Sequence, residues 1–161
     1  MAELKVLSVA AANGRTGYVF LSEGELRDWG ISVKAAKNAS YLVEWLQDLI
    51  NYLQPDVVVT EKISGACRKG RRTKRMICTL AEIAAHNYVL DVSVERQRHH
   101  SSKYEEAAML ADRYPELAGW LPKKRRYFES EPRNTIIFEA MALAEAAISR
   151  SVSESSGNDV Y

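Results

Sequence analysis

Glu61 and the basic residues that follow it are the side chains of this sequence best suited to chemistry. Residues 57–60 form a β-branched run that predicts a buried parallel strand, and Pro55-Asp56 before it indicates a turn. Glu61 follows at the carboxyl end of this strand, where the functional residues of open α/β sheets gather. A carboxylate beside many cations suggests metal-assisted chemistry on a phosphate polymer. The cations of this basic segment are Arg68, Lys69, Arg71, Arg72, Lys74 and Arg75.

Composition limits the class of protein. A length of 161 residues predicts one domain, and 47% hydrophobic with 27% charged residues argues against wholesale disorder. The net charge is only +1, so any affinity for nucleic acid must come from local clusters. Cys67 and Cys78 lack ligand-spaced His or Cys partners, which argues against zinc and favours reduced thiols. The N-terminal apolar run is too short for a signal peptide or membrane span, so we expect a cytoplasmic protein without a membrane partner.

The first third of the chain predicts three strands joined by tight turns. The strands are expected at residues 4–12, 17–21 and 26–33. Asn13-Gly14 is a strong signal for a two-residue hairpin, and residues 22–25 form a second turn. These elements together predict an antiparallel meander.

Helices and strands alternate in the middle of the chain. We predict a helix at 36–53, because its apolar residues recur at helical spacing, with Asn38 or Ser40 as its cap. After the strand that ends at Glu61, we predict a helix that starts in the basic segment and continues through residues 76–86. A strand at 88–94 follows, and its valines and leucine suggest burial.

Two further helices complete the predicted chain. Ser102 begins a capping box, which predicts a helix ending near Arg113. Pro132 fits the first turn of a last helix, expected to end near Ser149. We therefore expect a domain at 1–150 and a frayed tail at 151–161.

The predicted order β-β-β-α-β-α-β-α-α is the layout of the ribonuclease H-like fold. In that α/β fold, a mixed five-stranded sheet carries its three-strand antiparallel meander to one side, next to the parallel strands. Helices flank the sheet.

Three segments resemble the RuvC-like Holliday-junction resolvases, which belong to the ribonuclease H-like superfamily, and more narrowly the RuvC-like proteins of bacteria. Residues 7–21, LSVAAANGRTGYVFL, are similar to the first hairpin of that family, where a strand ends in Asp and Thr-Gly-Tyr or Thr-Gly-Trp follows. Residues 55–62, PDVVVTEK, are similar to the fourth strand, which ends in a catalytic Glu. Residues 134–146, NTIIFEAMALAEA, are similar to the last helix, where an acid precedes an Ala-x-Ala-Leu-Ala run.

The resemblance implies a metal-dependent, structure-selective DNA endonuclease of the Holliday-junction resolvase type, a hydrolase of DNA recombination. Carboxylates of this family hold two Mg²⁺ or Mn²⁺ ions, which activate a water and stabilise the leaving oxygen of a phosphodiester. Glu61 and Glu139 match two of these catalytic, metal-binding carboxylates. The basic segment would hold the DNA backbone, and the implied partners are branched DNA or another nucleic acid and a second copy in a homodimer.

Position 10 departs from the family pattern. Ala10 stands where the first-strand Asp is expected, and Ile136 lies near the position of a further acid in the last helix. Alanine supplies no ligand, and loss of a bridging carboxylate should weaken two-metal binding severely. Either Ala10 is an engineered inactivating change, or the native protein has lost nuclease activity and keeps the fold for binding. A third hypothesis brings Glu129 or Glu131 to the site.

Each candidate also has a purely structural interpretation. Glu61 can simply be the last residue of a strand, and Glu139 can be an acid on the solvated face of a helix. The basic segment can be a solvated helix start, although its six cations oppose the helix dipole. His99 and His100 are expected to be loop residues, and Lys103 is a distant candidate for assisting catalysis. The alternative functions are a non-catalytic nucleic-acid-binding module and a protein-interaction module on the same fold.

Overall fold

A computed structural model describes residues 4–65, 67–96, 102–122, 132 and 134–158 of the chain. Five strands and four α-helices lie in these ranges, with two short 3₁₀ helices at Lys34–Ala36 and Pro115–Trp120. The strands are β1 (Lys5–Ala12), β2 (Arg15–Ser22), β3 (Glu25–Ser32), β4 (Val57–Glu61) and β5 (Leu90–Val94). The helices are α1 (Ala39–Leu53), α2 (Arg71–Ala85), α3 (Lys103–Arg113) and α4 (Thr135–Asn158).

The five strands form one mixed sheet in the order β3-β2-β1-β4-β5. β1 pairs antiparallel with β2, and β2 antiparallel with β3. β1 and β4 are parallel, as are β4 and β5. The predicted ribonuclease H-like sheet, with its meander to one side, is therefore confirmed. β1 and β4 occupy its centre, so their carboxyl ends lie side by side.

Helices cover both faces of the sheet. Leu7 and Val9 of β1 face the core shared with α1 and α2, whereas Val6 and Ala10 face the core shared with α3 and α4. This division follows from the alternation of side chains along a strand. Val57 and Val59 of β4 also belong to the α4 side, and by the same alternation so does the last residue of β4. No helix in the described part of the chain is long and apolar enough to cross a membrane.

The first central helix begins three residues later than predicted, whereas the second begins within the basic segment. α1 starts at Ala39, because Asn38 caps it by accepting a hydrogen bond from the Tyr41 backbone N–H at 2.8 Å, and a 3₁₀ turn precedes the cap. α2 starts at Arg71, so residues 71–75 of the basic segment form its first turns. Its cations oppose the helix dipole, but its buried residues supply the packing that holds the first turns in place.

Two further predictions are wrong. β5 is predicted to be buried, yet Leu90 is 62% exposed, because β5 lies at the sheet edge and, among the described strands, pairs only with β4. α4 is predicted to end near Ser149, but it continues to Asn158.

Gly17 sets the distance between α4 and the sheet. A Cβ atom at Gly17 would lie 2.8 Å from Cγ2 of Ile136 and 3.3 Å from its backbone carbonyl carbon. The buried Ser8 hydroxyl donates a hydrogen bond of 2.6 Å to the Ala140 carbonyl, which ties β1 to the same part of α4. The first turns of α4 therefore rest directly on β1 and β2, and they carry Glu139.

We expect Gly17→Ala to lower the free energy of unfolding by about 1–3 kcal/mol, because its methyl group would overlap the buried Ile136. Urea unfolding followed by circular dichroism measures this loss. Gly119→Ala is the matched control, since a Cβ there meets no atom within 4 Å. Equal losses in the two variants would contradict the close approach of α4.

Candidate functional site

Glu61 and Glu139 come from different elements and meet at one end of the sheet. Glu61 is the last residue of β4, Glu139 lies on α4, and both are buried. The β1–β4 register pairs Ser8 with Val59, so its continuation by two residues places Ala10 beside Glu61. The structure thus brings together the three positions that the family resemblance singled out, with a carboxylate at two of them.

Lys69 lies between the two carboxylates. Its ammonium group donates to Glu61 Oε1 at 3.1 Å, to Glu139 Oε1 and to the Ala11 carbonyl at 2.9 Å. An ammonium group has three donors, so each of them has a partner here. The sequence grouped Lys69 with the phosphate-contacting cations, whereas the structure directs it toward the carboxylates.

A second cation, Arg96, follows β5 and extends this arrangement. One of its terminal nitrogens lies 3.2 Å from Glu106 Oε1 and the other lies 3.6 Å from Glu139 Oε1. Burial lowers the pKa of Arg96, but attraction to Glu139, Glu106 and Glu61 outweighs it, so that its pKa is raised overall. Arg96 is therefore a permanent cation.

The five side chains alternate in charge, and we call them the buried charge chain: Glu61, Lys69, Glu139, Arg96 and Glu106. Sequence reasoning missed the roles of Arg96 and Glu106. The available signal was that Arg96 follows β5, whose carboxyl end adjoins that of β4.

Comparison of the structure with solved structures identifies its fold. The fowlpox virus Holliday-junction resolvase is 15% identical, with a TM-score of 0.59 over 91% of this chain and 99% of that chain. Thermus thermophilus RuvC in complex with a Holliday-junction substrate is 12% identical, with a TM-score of 0.57 over 88% of this chain and 90% of that chain. The yeast mitochondrial Holliday-junction resolvase Ydc2 is 13% identical, with a TM-score of 0.50 over 88% and 77%.

The chain has the fold of the Holliday-junction resolvases. No protein-family model and no curated protein matches its sequence. The resemblance seen in the three sequence segments is confirmed at the level of the fold.

The donor set of this resolvase fold does not fit two divalent ions. A two-metal centre needs several oxygen ligands around ions about 4 Å apart. Here Glu61 and Glu139 converge on the ammonium group of Lys69, and Ala10 offers no oxygen from its side chain. Within the described ranges, no group of three His, Cys, Asp or Glu residues could hold a metal ion. The arrangement therefore supports no hydrolytic step through a metal.

The remaining candidates lie elsewhere. Glu129, Glu131, His99 and His100 fall outside the described residues. Lys103 is the exposed first residue of α3. Both cysteines are free, and the Cys67 sulfur lies 3.9 Å from Glu61 Oε2.

The cations of the basic segment differ in whether they contact other parts of the protein. Arg72 donates to the carbonyls of Ala36 and Lys37 at 3.2 and 3.0 Å, and so holds the turn before α1. Arg68, Arg71 and Arg75 are exposed, whereas Lys74 is half-buried. The first turn of α2 contains no acid and its cap, Gly70, has no side chain, so these cations add to the positive helix end.

We expect Arg96→Met to lower the free energy of unfolding by about 3 kcal/mol, because it leaves the buried Glu106 and Glu139 without their shared guanidinium. Chemical denaturation at neutral pH measures the loss. Arg113→Met is the control, because Arg113 forms an exposed ion pair with Glu145, and such pairs contribute little. A loss no larger than that of the control would contradict the buried charge chain.

Proposed function

We propose that this chain is of the Holliday-junction resolvase type, a class of metal-dependent, structure-selective DNA endonucleases. In this chain, Ala10 disables the cleavage centre, so the protein binds DNA junctions without cutting them. The supporting observation is that Glu61 and Glu139 share the Lys69 ammonium group at one end of a resolvase fold, while the β1–β4 register, continued by two residues, puts Ala10 beside Glu61. The solved structures with a similar fold are Holliday-junction resolvases, and the structure of Thermus thermophilus RuvC contains its junction substrate.

The exposed cations at the start of α2 form the proposed DNA-contacting surface. α2 follows β4, so its N-terminus lies at the same end of the sheet as Glu61. Arg71 and Arg75 are four residues apart and share one helix face, and Arg68 precedes them. Such contacts hold phosphates and read little sequence. Lys69 and Arg72 are not among the proposed phosphate-contacting residues, because their donors contact protein oxygens.

The geometry of position 10 explains why binding is proposed without cleavage. Metal-assisted hydrolysis is the reaction that the resemblance implies, with Glu61 and Glu139 as ligands of Mg²⁺ or Mn²⁺. Ala10 is buried in the core beneath α4 and supplies only a methyl group. The proposed homodimer would present two identical cationic surfaces to a two-fold junction.

We expect the unmodified chain to bind a four-way DNA junction without cutting it and Ala10→Asp to cut it. The aspartate restores the missing carboxylate, and its added negative charge favours displacement of the Lys69 ammonium group, whose side chain is 19% exposed, by the divalent ions. A labelled junction is incubated with each protein and Mn²⁺ or Mg²⁺, and gel-shift lanes without metal measure binding. Ala10→Asn is the matched control, since it adds similar bulk without a charge and should not cut.

Each remaining outcome of the junction assay has a separate meaning. Cutting by the unmodified chain would show a complete nuclease and contradict the disabled centre. Binding without cutting by all three proteins would favour a purely non-catalytic binding module. Absence of binding would contradict the junction proposal and leave a protein-interaction module on this fold.

We expect Arg71→Gln combined with Arg75→Gln to weaken junction binding and to reduce the salt dependence. Each lost phosphate contact lowers the slope of log affinity against log salt by about 0.9, so the slope should fall by roughly 2 for each bound protomer. Fluorescence anisotropy between about 50 and 200 mM salt measures it. Arg27→Gln is the control, because Arg27 lies on β3 and pairs with Glu25. An unchanged slope in the double variant would contradict the proposed surface.

A further inference from the structure

We infer that the Lys69 ammonium group is a built-in cation that occupies the position of a divalent metal between Glu61 and Glu139. Metal and ammonium then compete for the same two carboxylates. This inference goes beyond the proposed DNA-binding function and does not depend on it, because it concerns only the charges inside the fold.

The first support is the origin of the three oxygens around the ammonium group. Ala11 of β1 supplies a backbone carbonyl, Glu61 of β4 a carboxylate and Glu139 of α4 a second carboxylate. The family resemblance assigns metal ligands to the same three elements. In this chain, β1 contributes the backbone carbonyl of Ala11, where the resemblance expects a side-chain carboxylate at position 10.

The second support is electrostatic. The Glu61 and Glu139 side chains are only 5% and 7% exposed, and two buried carboxylates that share one point need a cation. Lys69 supplies that charge, and Arg96 supplies a further one on the other side of Glu139. A divalent ion bound to the same oxygens would lie within a few ångströms of the ammonium group and would repel it. Only one of the two cations can therefore occupy the position.

The third support is that Lys69 can leave. Its side chain is 19% exposed, and it lies on the segment between β4 and α2, one residue before the α2 cap. A lysine has a flexible four-carbon stem, so the ammonium group can reach solvent without movement of the sheet. Glu61 and Glu139, by contrast, are held on a central strand and a buried helix.

The substitution Lys69→Met removes the ammonium group, so that binding of a divalent metal to the two carboxylates can be measured without it. With EDTA, the melting temperature of this variant should fall by about 5 °C or more, because the carboxylate pair loses its cation. Added Mn²⁺ should then restore the melting temperature with a saturable dependence. Isothermal titration of Mn²⁺ should give at least about tenfold tighter binding than for the unmodified chain, since a like charge has been removed.

Two variants and one salt control make the comparison specific. Lys69→Arg keeps a cation and should gain no Mn²⁺ binding. Lys62→Met removes an exposed neighbouring lysine and should behave like the unmodified chain. Potassium chloride at matched ionic strength should not restore the melting temperature of Lys69→Met.

Mn²⁺ binding of equal affinity with and without Lys69 would overturn the inference, as would a Lys69→Met variant that Mn²⁺ does not stabilise.

A second measurement needs no variant. In the unmodified protein, acetylation mapped by mass spectrometry should label Lys69 more slowly than Lys62, because all three Lys69 donors are engaged. Equal labelling would also overturn the inference. Because no DNA is present, failure here leaves the junction proposal intact, and failure of junction binding leaves this inference intact.

Discussion

The burial of Glu61 and Glu139 at one point requires a cation, and the surrounding structure depends on meeting that requirement. The segment after β4 must return over the end of the sheet so that Lys69 reaches both acids. β5 must end where Arg96 can contact Glu139. α4 must approach the sheet closely, which the absence of a side chain at Gly17 allows. Sheet, loop and last helix are thus coupled by one electrostatic constraint.

The residues at positions 10 and 69 complement each other. A third carboxylate at position 10 would add negative charge beside Glu61, and two divalent ions could then balance the cluster. With Ala10, one negative charge is absent and a smaller positive charge is sufficient. Lys69 and the shared Arg96 supply it. Alanine also packs into the core beneath α4, so position 10 is part of the hydrophobic interior.

Local signals in the sequence predicted much of the fold. The Asn13-Gly14 turn, the β-branched run before Glu61 and the Ser102 cap all act within a few residues, and the structure contains each of them. The exposure of Leu90 could not be read this way, because it depends on which strand lies at the sheet edge. The partners of Lys69 and Arg96 depend on the path of the chain between distant elements, which residue spacing does not encode.

The basic segment shows why charge density alone is an incomplete guide to function. Lys69 and Arg72 lie only three residues apart, and their donors face carboxylates and helix-turn carbonyls of the same protein. Arg71 and Arg75 lie between and beyond them and are exposed. Because α2 turns about 100° per residue, neighbouring cations point in different directions. Loss of Lys69 or Arg72 removes hydrogen bonds that support the fold, whereas loss of Arg71 or Arg75 removes surface charge, so the two groups must be tested separately.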